Sequence, residues 1–451
     1  MKGRGLTLVG AALLGGCASL LSLDELHVDK GEQGAAGAGG GADTGGASSL
    51  GGNAGAGGDG VGGAAGGGGG GAGGGVAGKG GVGGSGGSGG LDGGPDAADA
   101  SDATSEDSGP TPLHPPDRPP GEPKPSNTGA VVAFAARGLY FGVTDPITKM
   151  DDATAWRRIG YDIDGKCTSA QEAASAMPGT CTRLPMSSND TLTDGDECRD
   201  NNFGSKFMVT VRNVKPDIES KIEKSLAAGG GTLMVELQDV DPGADDTYVP
   251  GVLYVAAPFD GNDAGVPAWD GTDVRKVDST SVFGKDLTKP LVSFPKGYIK
   301  GNVWVSGDFN KTPAVLPLPL QGVVYPVLAQ SLTFTVELSP DHKKALSGVM
   351  SGAIETKQFI CALKPLILSA FSCSIAIAQP FVDQFTNWAD LSANAPNFLN
   401  PAVPCDTMSI GASLDWVGVK VPKQADVVTV SQLPNPCFDG GVVPDCTDGG
   451  M

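Results

Sequence analysis

Two acidic segments of the sequence carry residue types that bind hard cations. The first is Asp162-Ile163-Asp164-Gly165, and the second runs from residue 194 to residue 202. Carboxylate oxygens in glycine-containing turns are typical ligands of calcium, which takes about six to eight oxygens. Neither segment has the spacing of an EF-hand loop, so acidic turns beside a disulfide are the alternative interpretation. No other cofactor is predicted, and the candidate calcium ligands are Asp162, Asp164, Asp194, Asp196 and Asp200.

A second polar segment, from Pro258 to Asp273, places a tryptophan among acidic and amide side chains. A flat apolar ring beside hydrogen-bonding oxygens is the equipment of a sugar-binding surface. The alternative is that the Trp269 ring folds back onto the sheet as a lid. The candidate ligand-binding residues are Asp260, Asn262, Asp263, Trp269, Asp270 and Asp273.

Catalytic residues are hard to assign from this sequence. The histidines are His27, His114 and His342, and only His342 falls inside the predicted folded domain, where we expect a solvated turn. Glu236 and Glu337 could supply the paired carboxylates of a glycoside hydrolase, although any acidic β protein offers such pairs. The sequence favours a non-catalytic domain, with an anchored carboxylate-dependent hydrolase acting on polysaccharide as the alternative.

The amino-terminal residues have the layout of an export signal. Lys2 and Arg4 form a basic start, an apolar run follows from Leu6 to Leu14, and small residues precede Cys17. The apolar run is shorter than the roughly 20 residues that span a bilayer.

The ending Leu14-Gly15-Gly16-Cys17 resembles the bacterial lipobox. The resemblance implies cleavage before Cys17, a diacylglyceryl group on its thiol and a membrane anchor through that lipid. It also implies a signal peptide over residues 1–16 and a lipidated segment over 17–33. Ala18 stands where the inner-membrane retention signal would place Asp, which favours the outer membrane, facing either the periplasm or the surface. An ordinary secretory signal with an incidental cysteine is the alternative.

Residues 34–128 have the composition of a disordered linker. The first part, to about residue 94, is nearly all Gly, Ala and Ser, which offer too little apolar surface to offset the entropy of ordering. The second part is rich in Asp and then in Pro, which predicts a stiffer spacer. The sequence therefore predicts a folded domain over 129–436, held on a long leash, and a tail over 437–451.

The net charge of the chain bears on its partners. The 451 residues carry a formal charge of −20, with 51 acidic and 31 basic residues. Such a surface repels phosphate backbones, so we expect no nucleic-acid partner. The partners we expect are the membrane, through Cys17, and a glycan or another envelope protein.

Alternating apolar residues predict that the folded domain is mainly β. The pattern is clear over Leu332–Leu338, Leu233–Leu237, Phe207–Val211 and Ile410–Trp416, with polar turns between such runs. We expect an antiparallel β-sandwich-like domain with a few short helices. One helix is predicted over Pro216–Ala228, and the apolar stretch Phe359–Ala378 is interpreted as a buried helical hairpin rather than a membrane span.

Eight cysteines remain once Cys17 is set aside: Cys167, Cys181, Cys198, Cys361, Cys373, Cys405, Cys437 and Cys446. An exported chain with an even number of cysteines predicts disulfides, here four. Short loops suggest Cys167 with Cys181 and Cys437 with Cys446. Cys361 and Cys373 can pair only if the helix between them breaks, around Leu366 to Ser372, because one continuous helix would hold them ~18 Å apart. Zinc is not expected, since the sequence has no Cys-x-x-Cys pair.

The block from Asp162 through Cys167 to Gly204 is similar to the opening block of uncharacterised bacterial lipoproteins with the same order of leader, leash and domain. No enzyme family is recognised, and the resemblance implies no activity. The combined expectation is an outer-membrane or cell-surface lipoprotein whose disulfide-stapled β-rich domain is a binding or structural module of the envelope.

Overall fold

The computed structural model describes residues 112–126, 129–169, 181–182, 192–214, 216–261, 265–307, 314–320, 323–370, 374–393, 398 and 400–430. These residues belong to one compact unit. The predicted signal peptide, Cys17, the Gly-rich tract and the tail lie outside the described residues. So do Asn262, Asp263, Cys373, Cys437 and Cys446.

The unit is mainly β, as the alternating sequence predicts. Its strands are β1 Ala130–Tyr140, β2 Cys181–Thr182, β3 Thr232–Val240, β4 Gly251–Ala256, β5 Val277–Asp278, β6 Val292–Phe294, β7 Tyr298–Lys300, β8 Val303–Val305, β9 Ala314–Leu320, β10 Val323–Leu338, β11 Ala345–Glu355, β12 Asn400–Pro404, β13 Thr407–Val419 and β14 Val427–Val428.

Twelve of these strands form one sheet, in the order β14-β5-β4-β3-β1-β13-β11-β10-β8-β7, with β6 on β4 and β9 on β10. All pairs in it are antiparallel except β14 with β5. A separate parallel pair joins β12 to β2. The long central strands β1, β13, β11 and β10 are the scaffold on which the polar site described below is built.

The sheet curls over a single main core. On β10, the apolar side chains Phe334, Val336 and Leu338 enter the core with the predicted period of two. Of the residues between them, Glu337 is exposed and Thr335 is buried against Tyr161. Strand β9 packs across onto β3, β4 and β6, so inner faces from distant parts of the sheet meet as in a sandwich. The indole of Trp304 is fully buried there, and its Nε1 donates to the carbonyl of Val249 at 2.9 Å.

Among the described residues, four α-helices accompany the sheet: α1 Val209–Val214, α2 Ile218–Ala227, α3 Thr356–Ala370 and α4 Ile375–Thr386. Helix α2 confirms the prediction, starting just after the predicted proline. Helices α3 and α4 contact each other and confirm the helical hairpin. No helix among the described residues is long and apolar enough to cross a membrane.

The predicted strand over Phe207–Val211 is wrong. A π-helical turn spans Phe203–Met208 and runs directly into α1. Phe203 and Phe207 are four residues apart, a spacing that places both on one face of a helix. The alternating residues from Phe207 to Val211 fit one face of a strand equally well. Both rings pack against Phe359 of α3, with centroids at 5.8 and 6.3 Å, so burial against the hairpin decides between the two periods.

Part of the predicted linker belongs to the folded unit, so the predicted start at residue 129 is too late. Residues 112–126 are bound to the domain by hydrogen bonds. The Leu113 amide donates to the Glu197 carbonyl at 2.9 Å, Arg118 donates to the Thr247 carbonyl at 2.8 Å, and the Tyr298 hydroxyl donates to the Pro116 carbonyl at 2.7 Å. A composition rich in proline does not reveal such pairing, because the partners lie far away in sequence.

Two described disulfides cross-link the unit. Cys167 pairs with Cys198, with Cα atoms 4.7 Å apart, and Cys181 pairs with Cys405, with Cα atoms 5.2 Å apart. The suggested Cys167–Cys181 bridge is therefore wrong, because pairing of β2 with β12 brings Cys181 to Cys405 instead. Cys361 is also disulfide-bonded, while Cys373, its predicted partner, lies outside the described residues.

Candidate metal centre

The first acidic segment is held against three central strands by two hydrogen bonds and one close backbone contact. The Tyr161 amide donates to Ser351 Oγ of β11 at 2.8 Å, and its hydroxyl lies 2.9 Å from Thr335 Oγ1 of β10. Gly160 has φ +110° and passes within close contact of Gly411 on β13, where a side chain would not fit easily. These contacts fix residues 160 to 164 against strands β10, β11 and β13.

The second acidic segment is held beside the first by its own amides. The Asp200 amide donates to the Tyr161 carbonyl at 3.1 Å. Asn201 Oδ1 accepts from the Gly411 amide at 2.9 Å, and the Asn202 amide donates to Ser409 Oγ at 2.8 Å. Asn201, through its side chain, and Asn202, through its backbone amide, therefore bind β13, and Asp200 itself faces the first segment.

Asp162, Asp164 and Asp200 converge to form the carboxylate cluster. One carboxylate oxygen from each lies within 4.8 Å of the others. The three residues are only 1 to 4 % exposed, so water does not screen their charges freely. The structure thus brings together three of the five predicted calcium ligands.

Backbone amides bind one oxygen of each carboxylate in the cluster. Asp162 Oδ1 accepts from Gly165 at 2.7 Å, Asp164 Oδ1 from Lys166 at 2.8 Å, and Asp200 Oδ2 from Ile163 at 2.7 Å. Asp162 Oδ2 is buried and accepts no hydrogen bond. The half-exposed His114 ring lies beside it, with Nε2 4.0 Å from Asp162 Oδ2. The amides fix the orientation of the carboxylates, and an unpaired oxygen remains.

Mutual burial makes the cluster reluctant to ionise. Loss of hydration, followed by repulsion from Asp162 and Asp390, raises the pKa of Asp164 to about 7. The same loss of hydration, followed by repulsion from Asp164, Asp194 and Asp390, raises the pKa of Asp200 well above its ordinary value. Carboxyl groups are concentrated here, and each one opposes the ionisation of the others.

The remaining predicted ligands separate into two groups. Asp194 is half-buried at the edge of the cluster, where its Oδ2 accepts from the Thr168 amide, and burial raises its pKa to about 8. Asp196 is exposed in a 3-10 turn and does not join the cluster. Asp390, which sequence reasoning missed, binds Ser409 through both oxygens and acts electrostatically on the cluster. It is a lone acid after α4, so no sequence signal marks it.

The tryptophan segment arranges its polar groups differently. The Trp269 ring is half-buried against the outer face of the sheet, and its Nε1 donates to the Ala227 carbonyl at 2.8 Å. Asp273 is buried, with Oδ1 accepting from Ala268 and Oδ2 from Trp269 amides. Asp260 pairs with Lys276 at 2.6 Å, and Asp270 binds Thr272 in an exposed turn. The described candidates of this segment do not converge on a common point.

The residues considered for catalysis are also apart. Glu236 lies on β3 and Glu337 on β10, four strand steps away, or roughly 19 Å along the sheet at ordinary strand spacing. A glycosidase pair needs about 5 to 10 Å. His342 lies in the predicted turn but is buried, not solvated, with Nδ1 at 3.0 Å from the Asp241 carbonyl. The hairpin folds this turn against the Asp241 loop, which its sequence does not reveal.

Comparisons with known proteins add no family to this description. No family model matches the chain, and no curated protein or solved structure is similar to it.

Proposed function

We propose that the chain is an exported lipoprotein of the cell envelope, anchored through lipid on Cys17, whose β-rich domain is a binding or structural module. The observation that carries the proposal is the pair of disulfides, Cys167–Cys198 and Cys181–Cys405, in a domain that follows a lipobox-like leader. Disulfides persist in oxidising compartments outside the cytoplasm. Leader and disulfides therefore support the same location by independent chemistry.

The anchor has a direct chemical test. The full chain and its Cys17→Ser variant are expressed in a diderm bacterium, and membrane and soluble fractions are separated. We expect the wild-type chain in the outer-membrane fraction, with an amino-terminal peptide that begins at Cys17 and carries the mass of two or three acyl chains, since one chain gives only marginal anchoring. The Cys17→Ser chain should be soluble. An unmodified amino terminus, or one beyond residue 17, would contradict the proposal.

The module itself is tested for partners in the envelope. Asp270 follows the half-buried Trp269 in an exposed turn, so this turn is where we propose that a glycan binds. Co-sedimentation of the purified chain with isolated sacculi and with surface polysaccharide should fall when Asp270 becomes Ala. Asp286→Ala is the matched control, because Asp286 forms the same turn with Thr288 elsewhere. If the wild-type chain does not co-sediment, or if both variants lose co-sedimentation equally, the proposal that this segment binds a glycan is contradicted.

A further inference from the structure

We propose that Asp162, Asp164 and Asp200 bind one calcium ion, with Asp194 and Asp390 supplying further negative charge around it. This site does not depend on the lipid anchor or on a glycan. It is argued from the unpaired oxygen, the spacing of the carboxylates, the available donor atoms and the way the two segments are joined.

The first argument is the unpaired oxygen of Asp162. Its side chain is fully buried, one oxygen is bound by the Gly165 amide, and Oδ2 accepts from no donor. Buried polar atoms in native proteins nearly always have a partner, and exceptions call for an explanation such as an ion. The other two carboxylates lie within ligand spacing of this one, so a cation among them supplies the partner.

The second argument is spacing. Calcium binds oxygen at about 2.3 to 2.6 Å, so ligand atoms around one ion are at most about 5 Å apart. The three carboxylates each offer an oxygen within 4.8 Å of the others, which places them on one such sphere. Amides bind Asp162 Oδ1, Asp164 Oδ1 and Asp200 Oδ2 and so fix the three carboxylates, and Asp162 Oδ2 has no partner other than the ion.

The third argument concerns which ion fits. The converging atoms are carboxylate oxygens, the ligands of hard cations, whereas zinc and copper prefer imidazole and thiolate. The His114 imidazole, with Nε2 4.0 Å from Asp162 Oδ2, is not part of the convergent group. Cys167 and Cys198, the nearest sulfurs in sequence, are oxidised to a disulfide and cannot act as thiolates. Magnesium demands a tighter octahedron and usually keeps several waters, which suits a buried, irregular group of carboxylates less well than calcium does.

The fourth argument is the connection between the two acidic segments. Cys167 follows Asp164 closely and Cys198 just precedes Asp200, so the disulfide joins the same segments that the ion would join. The covalent bridge restricts the ligands in the unfolded chain and reduces the entropy lost on binding the ion. We therefore expect calcium binding and the stability of the folded chain to be linked.

The test is a calorimetric titration of the full chain, freed of metal with a chelator, with calcium chloride. We expect one saturable site with a dissociation constant between roughly 10⁻⁷ and 10⁻³ M, the span of sensor and extracellular sites. Asp200→Asn should weaken binding at least tenfold. Asp196→Asn makes the same chemical change at an exposed position of the same segment and should leave binding unchanged. Equal effects of the two variants, or no calcium heat in the wild type, would overturn the proposal.

Thermal unfolding gives a second readout, because the difference in midpoint between Asp200→Asn and the wild type should have opposite signs without and with calcium. Without calcium, Asp200→Asn should raise the midpoint above that of the wild type, because it removes the cost of burying a third carboxyl group beside Asp162 and Asp164. With calcium, the order should reverse. If Asp200→Asn does not fold, Asp162→Asn serves, because it replaces the unpaired oxygen and can keep the bond from Gly165. No reversal in a folded variant would overturn the site, and an equal midpoint shift with magnesium would overturn its assignment to calcium.

Discussion

The carboxylate cluster and the Trp269 segment both contain buried aspartates, yet their oxygens have different partners. At Asp273 each carboxylate oxygen accepts a backbone amide, so the residue completes a loop and has no unpaired oxygen. At Asp162 one oxygen accepts an amide and the other accepts nothing. The difference shows that a buried acid indicates a ligand only when its hydrogen-bonding capacity is left unfilled by the chain itself.

Removing the disulfide beside the cluster should have the largest effect. For the 31-residue separation of Cys167 and Cys198, the double variant Cys167→Ser/Cys198→Ser should lose roughly 4 kcal/mol of unfolding free energy by the chain-entropy estimate. We also expect weaker calcium binding, because the ligand segments are no longer joined. Urea unfolding and calorimetry measure the two quantities.

The matched control for that variant is Cys181→Ser/Cys405→Ser, whose bridge closes a separation of 224 residues away from the acidic segments. It should lose at least as much stability but less calcium affinity. Equal losses of affinity in the two double variants would show that the Cys167–Cys198 bridge has no special connection with the cluster.

Glu219 is a buried carboxylate whose two oxygens both accept hydrogen bonds from backbone amides. Its Oε1 accepts from Phe141 and Gly142 amides and its Oε2 from Val143, while burial still raises its pKa from 4.5 to about 7. The unfolded chain releases this proton at lower pH than the folded chain does, so stability falls as pH rises through that interval. Between about pH 4.5 and 7, the unfolding free energy of the wild type should therefore fall relative to that of Glu219→Gln by on the order of 3 kcal/mol. Urea unfolding at saturating calcium across this range measures it, and a constant difference would contradict the assignment.

Asp273→Asn tests the Trp269 segment in the way that Asp200→Asn tests the cluster. An amide cannot accept from both backbone donors, so one buried N–H loses its partner, at a cost of about 1 to 3 kcal/mol. Because no unpaired oxygen is involved, the loss should be the same with calcium and with chelator. A loss that depends on calcium would remove the distinction between the two regions.

The smallest expected effect is that of Trp269→Phe. The substitution keeps most of the ring on the outer face of the sheet and removes the bond from Nε1 to the Ala227 carbonyl. We expect a loss of about 1 kcal/mol in unfolding free energy, the ordinary net value of one hydrogen bond. Calorimetry should show unchanged calcium binding, whereas a tenfold change would link the two regions.

Much of the fold could be predicted from the sequence, because local periodicity reports which face of a strand is buried. Strands β3, β10 and β13, helix α2 and the α3–α4 hairpin all carry such patterns. The failure at Phe207–Val211 has a physical cause. The segment satisfies periods of both two and four, and only the aromatic contacts with α3 favour the helix.

The candidate site could be predicted only where its residues are clustered along the chain. Asp162, Asp164 and Asp200 lie in two recognisable acidic turns, but nothing in those turns distinguishes buried Asp200 from exposed Asp196. Asp390 reaches the site because its segment forms a bridge with the start of β13, at Leu391 and Thr407, which brings it beside Ser409. Disulfide partners are set by the same long-range pairing, so loop length misassigned Cys181.

A crystal structure of the full chain grown with calcium is the most direct measurement. We predict a peak in the anomalous difference map about 2.3 to 2.6 Å from oxygens of Asp162, Asp164 and Asp200, with Asp162 Oδ2 among the ligands. A map without a peak there, with Asp162 Oδ2 accepting a hydrogen bond from the protein instead, would contradict the account.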